Sequence, residues 1–292
     1  AGGGHTRVDH FGGRDMRGDL VHGGALDAMR AAFPNAPQPW IDLSTGINPW
    51  PYPDITVSHA ALAHLPTRSA QDACTEAMAS AMGAPMPSLL LAPGSELLIR
   101  LLPDVIHPRR VAILSPTYGD HAAVWKRAGI ETIETANPLD LAASVDAVIV
   151  THPNNPDGRV FDLNALEAAR QTLVARGGWL IIDEAYADLT PEQSVASRGG
   201  HDGLIILRSF GKFFGLAGVR FGALIASASV RKAIGHRLGV WPVSGAALEI
   251  GARAYRDTAW QNRTRTKLAE AAARLDAILI AGGLPVAGGT SL

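Results

Sequence analysis

The stretch "LRSFGKFFGLAGVRFG", Leu207 to Gly222, sets a single lysine among glycines and phenylalanines, straight after the apolar run "GLIIL". An apolar run that ends in a glycine-rich turn reads as a buried strand followed by a tight loop. A lysine is costly to bury. Either the stem of Lys212 packs while its amine reaches water, or the amine has a chemical task. Five other runs share the pattern: "SLLLAPG", "RVAILSP", "AVIVTHP", "WLIIDEA" and "FGALIAS". Between them lie the amphipathic stretches "SELLIRLLPDVI", "YGDHAAVWKRAG", "DLNALEAARQTLVARG" and "VRKAIGHRLG". Strands that are apolar throughout and alternate with helices predict an α/β fold, with a mostly parallel sheet covered on both faces. The alanine-rich tail from about Ala246 to Ala281 predicts one or two long amphipathic helices.

In such sheets ligands bind beyond the carboxyl ends of the strands. The residues there are Gly94-Ser95-Glu96, Ser115 to Tyr118, His152 to Pro156, Asp183 to Tyr186 and Ser209 to Lys212. Of the four lysines, Lys126, Lys232 and Lys267 lie in amphipathic helical patterns, and only Lys212 follows a buried strand. A desolvated amine can form a Schiff base with a carbonyl. A pyridoxal 5'-phosphate site needs that amine and several further parts. Asp183 can pair with the ring nitrogen, Tyr186 and Asn155 can hold the ring's 3-oxygen, and Tyr118 can stack on its face. Gly94, Ser95, Glu96, Ser209 and Arg220 suit a phosphate, which favours backbone amides, hydroxyls and a guanidinium. Taken singly, each has a plain structural reading. "DE" is an ordinary strand-end cap, "NNPDG" an ordinary turn and "PGS" an ordinary helix start. Their joint occurrence at successive strand ends favours the site.

Composition narrows the classes. The 292 residues are 47% hydrophobic and 18% charged, which is globular and not disordered. A formal net charge of −1 gives no electrostatic case for nucleic acid or an anionic membrane surface, and no apolar run has the length of a membrane span. Cys74 is the only cysteine, which excludes an internal disulfide and fits a reducing compartment. It falls in the helix-like "AQDACTEAMASAMG" and reads as a small buried or half-buried residue. No GxGxxG follows the first strand, and neither a Walker-type loop nor HExxH occurs, so nicotinamide, nucleotide-phosphate and zinc chemistry are disfavoured. The glycine-rich residues 1–20 carry no signal-peptide core and read as a flexible, cytoplasmic tail. No initiator Met is present, and "GLPVAGGTSL" stops where a strand is expected to begin, so the chain is expected to be a fragment.

"THPNNPDG", "IIDEAYADL" and "LRSFGKFFGLAGVRFG" resemble the signature segments of fold type I pyridoxal phosphate enzymes of the aminotransferase class I/II group. "HGGALDAM" (His22 to Met29) and "WIDLSTGINPWPYP" (Trp40 to Pro53) further resemble the threonine-phosphate decarboxylases of the cobalamin pathway. The histidinol-phosphate aminotransferases are the nearest alternative, and a cofactor-binding relative without turnover is a third. The resemblance implies Lys212 as the Schiff-base residue, with Asp183, Asn155 and Tyr186 around the ring and Ser95, Glu96, Ser209 and Arg220 around the phosphate. It implies that a small phosphorylated amino acid meets His22, Gly23, Gly46 and Asn155, and that the protein is a homodimer. Its domains would be an arm over 21–45, a large cofactor-binding domain over 46–240, and the start of a small α+β domain over 241–292, with the substrate-binding arginines beyond Leu292. Two positions depart from the pattern. Gly46 stands where an asparagine can occur, and Leu65 stands where relatives place an aromatic that reaches the neighbouring subunit's cofactor.

Overall fold

The computed structural model describes residues 23–292. The flexible tail and His22 read from the sequence lie outside these. The chain divides into two compact units, Ala1–Gly46 and Ile47–Leu292. In the first, Leu26–Ala32 forms α1. A local knot closes the following loop: the Asp42 carboxylate accepts from the Ser44 backbone N–H and hydroxyl, and Ser44 Oγ accepts from the Gly24 N–H.

The second unit opens with two helices, α2 (His59–Ala63) and α3 (Arg68–Met82), capped by the side chains of Ser58 and Thr67. Strand β1 (Leu89–Ala92) follows. Then come α4 (Ser95–Leu101), α5 (Pro103–Ile106), β2 (Arg110–Leu114), α6 (Asp120–Arg127), β3 (Glu131–Thr135) and β4 (Ala147–Thr151). Next are α7 (Leu163–Val174), β5 (Trp179–Asp183), β6 (Leu204–Ser209), β7 (Gly222–Ala226) and α8 (Ala228–Leu238). Two helices end the unit, α9 (Gly245–Arg256) and α10 (Thr258–Ala281). The seven strands form one sheet in the order β1-β7-β6-β5-β4-β2-β3. Only β7 runs antiparallel to its neighbours. The central strands β4, β5 and β6 alternate their side chains between two apolar layers: Val148, Val150, Leu180, Ile182, Leu204 and Ile206 face one, and Ala147, Ile149, Ile181, Ile205 and Leu207 the other. That double burial is why these strands read as unbroken apolar runs.

All six strands read from the sequence are present. The seventh, β3, was not legible: "ETIET" has no apolar run, and only its pairing with β2 along one side defines it as an edge strand. The stretch "SELLIRLLPDVI" is not one helix but two, because Pro103 restarts the chain at the first turn of α5. The alanine-rich tail is two helices, with Asp257 capping the second. No strand forms over 284–292. Pro285 lacks an N–H for a ladder, and a strand is completed only by a partner.

Candidate functional site

Parallel pairing brings the ends of β4, β5 and β6 side by side. Thr151 lies opposite Asp183, and Asp183 opposite Leu207, two residues before Ser209. The antiparallel β7 starts beside Ser209, at Gly222, and continues against β1, so Gly94 and Ser95 arrive at the same edge. One cavity opens there. Gly94, Ser95, Glu96, Tyr118, Asn155, Asp183, Tyr186, Ser209, Lys212 and Arg220 all line it, with Thr151 and Phe221 among their neighbours. Every strand-end residue named for a cofactor from the sequence therefore reaches one pocket.

Lys212 is aimed by its flanks. Phe210, Phe213, Phe214 and Phe221 are all but fully buried. Phe210 stacks on Phe214 at 4.5 Å, and Phe214 packs in turn on Tyr255 and Trp260. The backbone carbonyl of Lys212 accepts from the N–H groups of Asn48 and Gly215. Gly211 must be glycine, since a Cβ there would lie 2.8 Å from Ala217 Cα. The loop is thus rigid while the amine stays in the pocket, 5.7 Å from the centre of the Tyr186 ring. Burial holds the Lys212 amine below the usual lysine value; Asp183 opposes this and Arg220 reinforces it.

Asp183 is 3% exposed. Its Oδ1 accepts from the Ala185 N–H at 3.0 Å, and its Oδ2 lies 2.9 Å from Nε2 of the buried His121. The carboxylate is therefore fixed in place by two partners. Tyr186 is pushed up to about 12 by burial and by the Asp183 charge, so its phenol remains a donor at neutral pH. Asn154 and Asn155 divide their tasks. Asn154 is buried and structural: it accepts from the Thr117 hydroxyl and donates to Pro116 O and to Asp157. The exposed Asn155 lines the pocket.

On the opposite wall, Gly94 opens α4 with φ +95°, and a Cβ at Gly94 would come within 3.1 Å of Arg220 Nη2. Likewise a Cβ at Gly222 would meet the Ser95 N–H nitrogen at 3.1 Å. Glycine at these two positions thus keeps a side chain off the Ser95 backbone amide and the Arg220 guanidinium, two groups suited to a phosphate. Arg220 Nη2 rests 3.7 Å from Glu96 Oε2.

Gly23 and Gly46 belong to the first unit. Gly23 has a local reason for its identity, since a Cβ would fall 2.0 Å from Ser44 O. Cys74 is fully buried, and its thiol is pushed up to about 12 by that burial. The other three lysines are elsewhere: Lys126 pairs with Glu134, Lys232 is exposed, and Lys267 sits over the Trp50 ring. Among the described residues no cluster of metal-ligating side chains occurs, and no helix is long and apolar enough to cross a membrane.

Three buried residues beside the site's strand ends escaped the sequence reading. His121 and Asp120 lie in "YGDH", where only Tyr118 stood out; they open α6, and there Asp120 bonds the Tyr118 hydroxyl and His121 bonds Asp183. Arg208 lies inside β6, in a strand that is otherwise apolar up to Ser209. It is 2% exposed and pairs with Glu184 at 2.8 Å and with Asp188. A charge inside "LIILRSF" was the available signal.

Residues 40–291 match the family model of aminotransferase class I and II. This chain belongs to that family. It is 39% identical to the threonine-phosphate decarboxylase of Pseudomonas aeruginosa over 275 residues, covering 94% of this chain and 82% of that protein. It is 40% identical to the threonine-phosphate decarboxylase of a Sinorhizobium species over 282 residues, covering 95% and 83%. Its fold superposes on the crystal structure of L-threonine-O-3-phosphate decarboxylase from Porphyromonas gingivalis with a TM-score of 0.62 at 19% identity, over 80% of this chain and 76% of that one.

Proposed function

We propose that this chain decarboxylates L-threonine O-3-phosphate to (R)-1-amino-2-propanol O-2-phosphate and CO₂, the step that threonine-phosphate decarboxylases contribute to cobalamin biosynthesis. The observation that carries this reading is the near full-length similarity to two proteins of that name, over a chain that gathers a lysine, an aspartate, a tyrosine and a phosphate cradle in one pocket.

Pyridoxal 5'-phosphate is the cofactor, and the donor set fits it. Ser95, Ser209 and Arg220 would hold the phosphate, in the space that glycine at 94 and 222 leaves open. Asp183 would hold the ring nitrogen, and Asn155 and Tyr186 the ring oxygen. When bound, the cofactor supplies a carbonyl for the substrate amine and an electron sink for the bond broken at the α-carbon. The residues do the rest. Lys212, its amine shifted toward the neutral form, is the nucleophile and the group that holds or returns a proton at Nζ. Asp183, fixed by Ala185 and His121, presents its carboxylate to the pocket. Tyr186 donates its phenolic proton. Choosing decarboxylation over transamination is a matter of which substrate bond is held perpendicular to the ring. Asn155, which lines the pocket, is the residue of the second unit that we assign to contact the substrate.

We further propose a cytoplasmic homodimer. Leu62, Leu65, Val240 and Trp241 are exposed apolar side chains, and Gly245, just after Trp241, packs on Ala61 of α2. Together they suit a second copy better than water.

The test is CO₂ release from O-phospho-L-threonine by the cofactor-loaded protein with no oxo-acid present. Stoichiometric CO₂ and aminopropanol phosphate are expected. No CO₂, with amino transfer to a phosphate-bearing oxo-acid instead, would move the chain to the aminotransferases.

A further inference from the structure

Asp120 is a buried carboxylate that the chemistry above does not use. An acid in the first turn of a helix is ordinarily a surface feature that favours the helix dipole. Here it is 3% exposed. Its Oδ2 accepts from the Tyr118 hydroxyl at 2.7 Å, and its Oδ1 lies 3.4 Å from Arg100 Nη2. Arg100 also donates to Glu96 Oε1 at 3.0 Å, and the other oxygen of Glu96 approaches Arg220. Tyr118 on one wall of the pocket is thereby joined to Arg220 on another through Asp120, Arg100 and Glu96.

A phenol has one hydrogen to donate, and here it is bonded to Asp120 Oδ2. Tyr118 therefore lines the pocket while its hydroxyl hydrogen is committed to Asp120. Burial, the bond to Asp120, and the charges of Asp120, Glu96 and Asp183 all keep that phenol protonated. A charge-assisted bond of this kind fixes orientation more firmly than packing alone, because the hydroxyl has one favoured direction. Arg100 supplies the positive charge that makes a buried carboxylate tolerable at that spot.

We propose that Asp120, backed by Arg100, is a positioning residue for cofactor binding: it locks the phenol of Tyr118 and so sets the plane of the ring that receives the pyridine ring of pyridoxal 5'-phosphate. The proposal rests on the reading of Tyr118 as the stacking face.

The experiment is a mutant cycle read as the dissociation constant of pyridoxal 5'-phosphate from cofactor-free protein, followed by tryptophan quenching. Y118A tests the stacking face itself and is expected to weaken binding most. D120N and Y118F, each nearly isosteric, are expected to weaken it by roughly tenfold, the scale of one charge-assisted hydrogen bond. The double variant is expected to be no worse than Y118F alone, because both changes act through one bond, which Y118F abolishes and D120N strips of its charge. R100Q provides a second perturbation, with an effect that shrinks in the Y118F background to the part carried through Glu96 and Arg220. In D120N, tyrosinate absorbance is expected to rise at lower pH than in the parent. A scaffold role for Asp120 would instead give losses that add in the double variant, and that result overturns the proposal. Normal affinity in D120N beside a weakened Y118A overturns the part given to Asp120 alone. Normal affinity in Y118A overturns the stacking face and the proposal with it.

Discussion

Lys212 carries a conflict between burial and charge that can be measured without any cofactor. Its amine in the folded chain sits below the ordinary value of 10.5, chiefly because burial disfavours the charged form. Between the folded and unfolded values the unfolded chain binds more protons, so stability rises with pH across that window. Below it the full penalty applies. Lys212→Met removes the penalty. In the cofactor-free protein this variant is expected to melt at a higher temperature than the parent at pH 7, with the advantage shrinking as pH approaches 10.5. Thermal melts at pH 7 and pH 10 check it, and a constant difference between the two proteins would show that the amine is not desolvated. This residue was legible because a lysine after an apolar run violates local expectation. His121 was not, since a histidine in an amphipathic helix violates nothing. Only the turn that sets α6 against the end of β5 makes it a partner of Asp183.

At the scale of elements, the turn after β5 is held to β6 by charge as well as by the ladder. Arg208 is buried between Glu184 and Asp188, with Ser194 also bonded to Glu184. Burial works against the arginine's charge, and the two carboxylates sustain it. Arg208→Met would take from two buried carboxylates the guanidinium that pairs with both. A loss of roughly 3–5 kcal/mol is expected, read by urea unfolding of the cofactor-free protein. A loss under about 1 kcal/mol would mean that the pair is replaceable by apolar packing. Helix α7 offers a milder case. Glu167, held down to about 2 first by its bonds to Arg170, also touches Gln171 and Arg198. Its folded value lies below the unfolded 4.5. Its contribution, of order 1 kcal/mol for a partly exposed pair, is present above pH 4.5 and lost as pH falls toward 2. Glu167→Gln is expected to be less stable than the parent at pH 7 and equal to it near pH 2. The buried strands were legible for the reason that makes them central: both faces are covered, so each reads as an apolar run. Strand β3 and the break before Pro103 were not, because an edge strand is defined by its neighbour and a helix break by a local competition.

For the whole molecule, the sheet order explains why residues far apart in sequence meet. The reversal of β7 brings Gly94 of the first βα turn against Arg220 and Ser209 of the last strand pair. Strand order was not legible, and yet the site residues were, because each lies just beyond a strand end and the ends of parallel strands share one edge. The exposed apolar set at Leu62, Leu65, Val240 and Trp241 is a property of the assembled surface that no single stretch announces. Light scattering after size exclusion is expected to give twice the chain mass, and Leu62→Glu combined with Trp241→Ser is expected to halve it. A parent protein that is already monomeric would remove the proposed dimer.

The most direct measurement is borohydride reduction of the cofactor-loaded protein followed by peptide mapping. A pyridoxyl mass on the peptide that spans Lys212, and none on peptides carrying Lys126, Lys232 or Lys267, is the expected result, with the label lost in Lys212→Ala. A label on another lysine, or one retained in Lys212→Ala, would contradict the assignment on which the proposed chemistry depends.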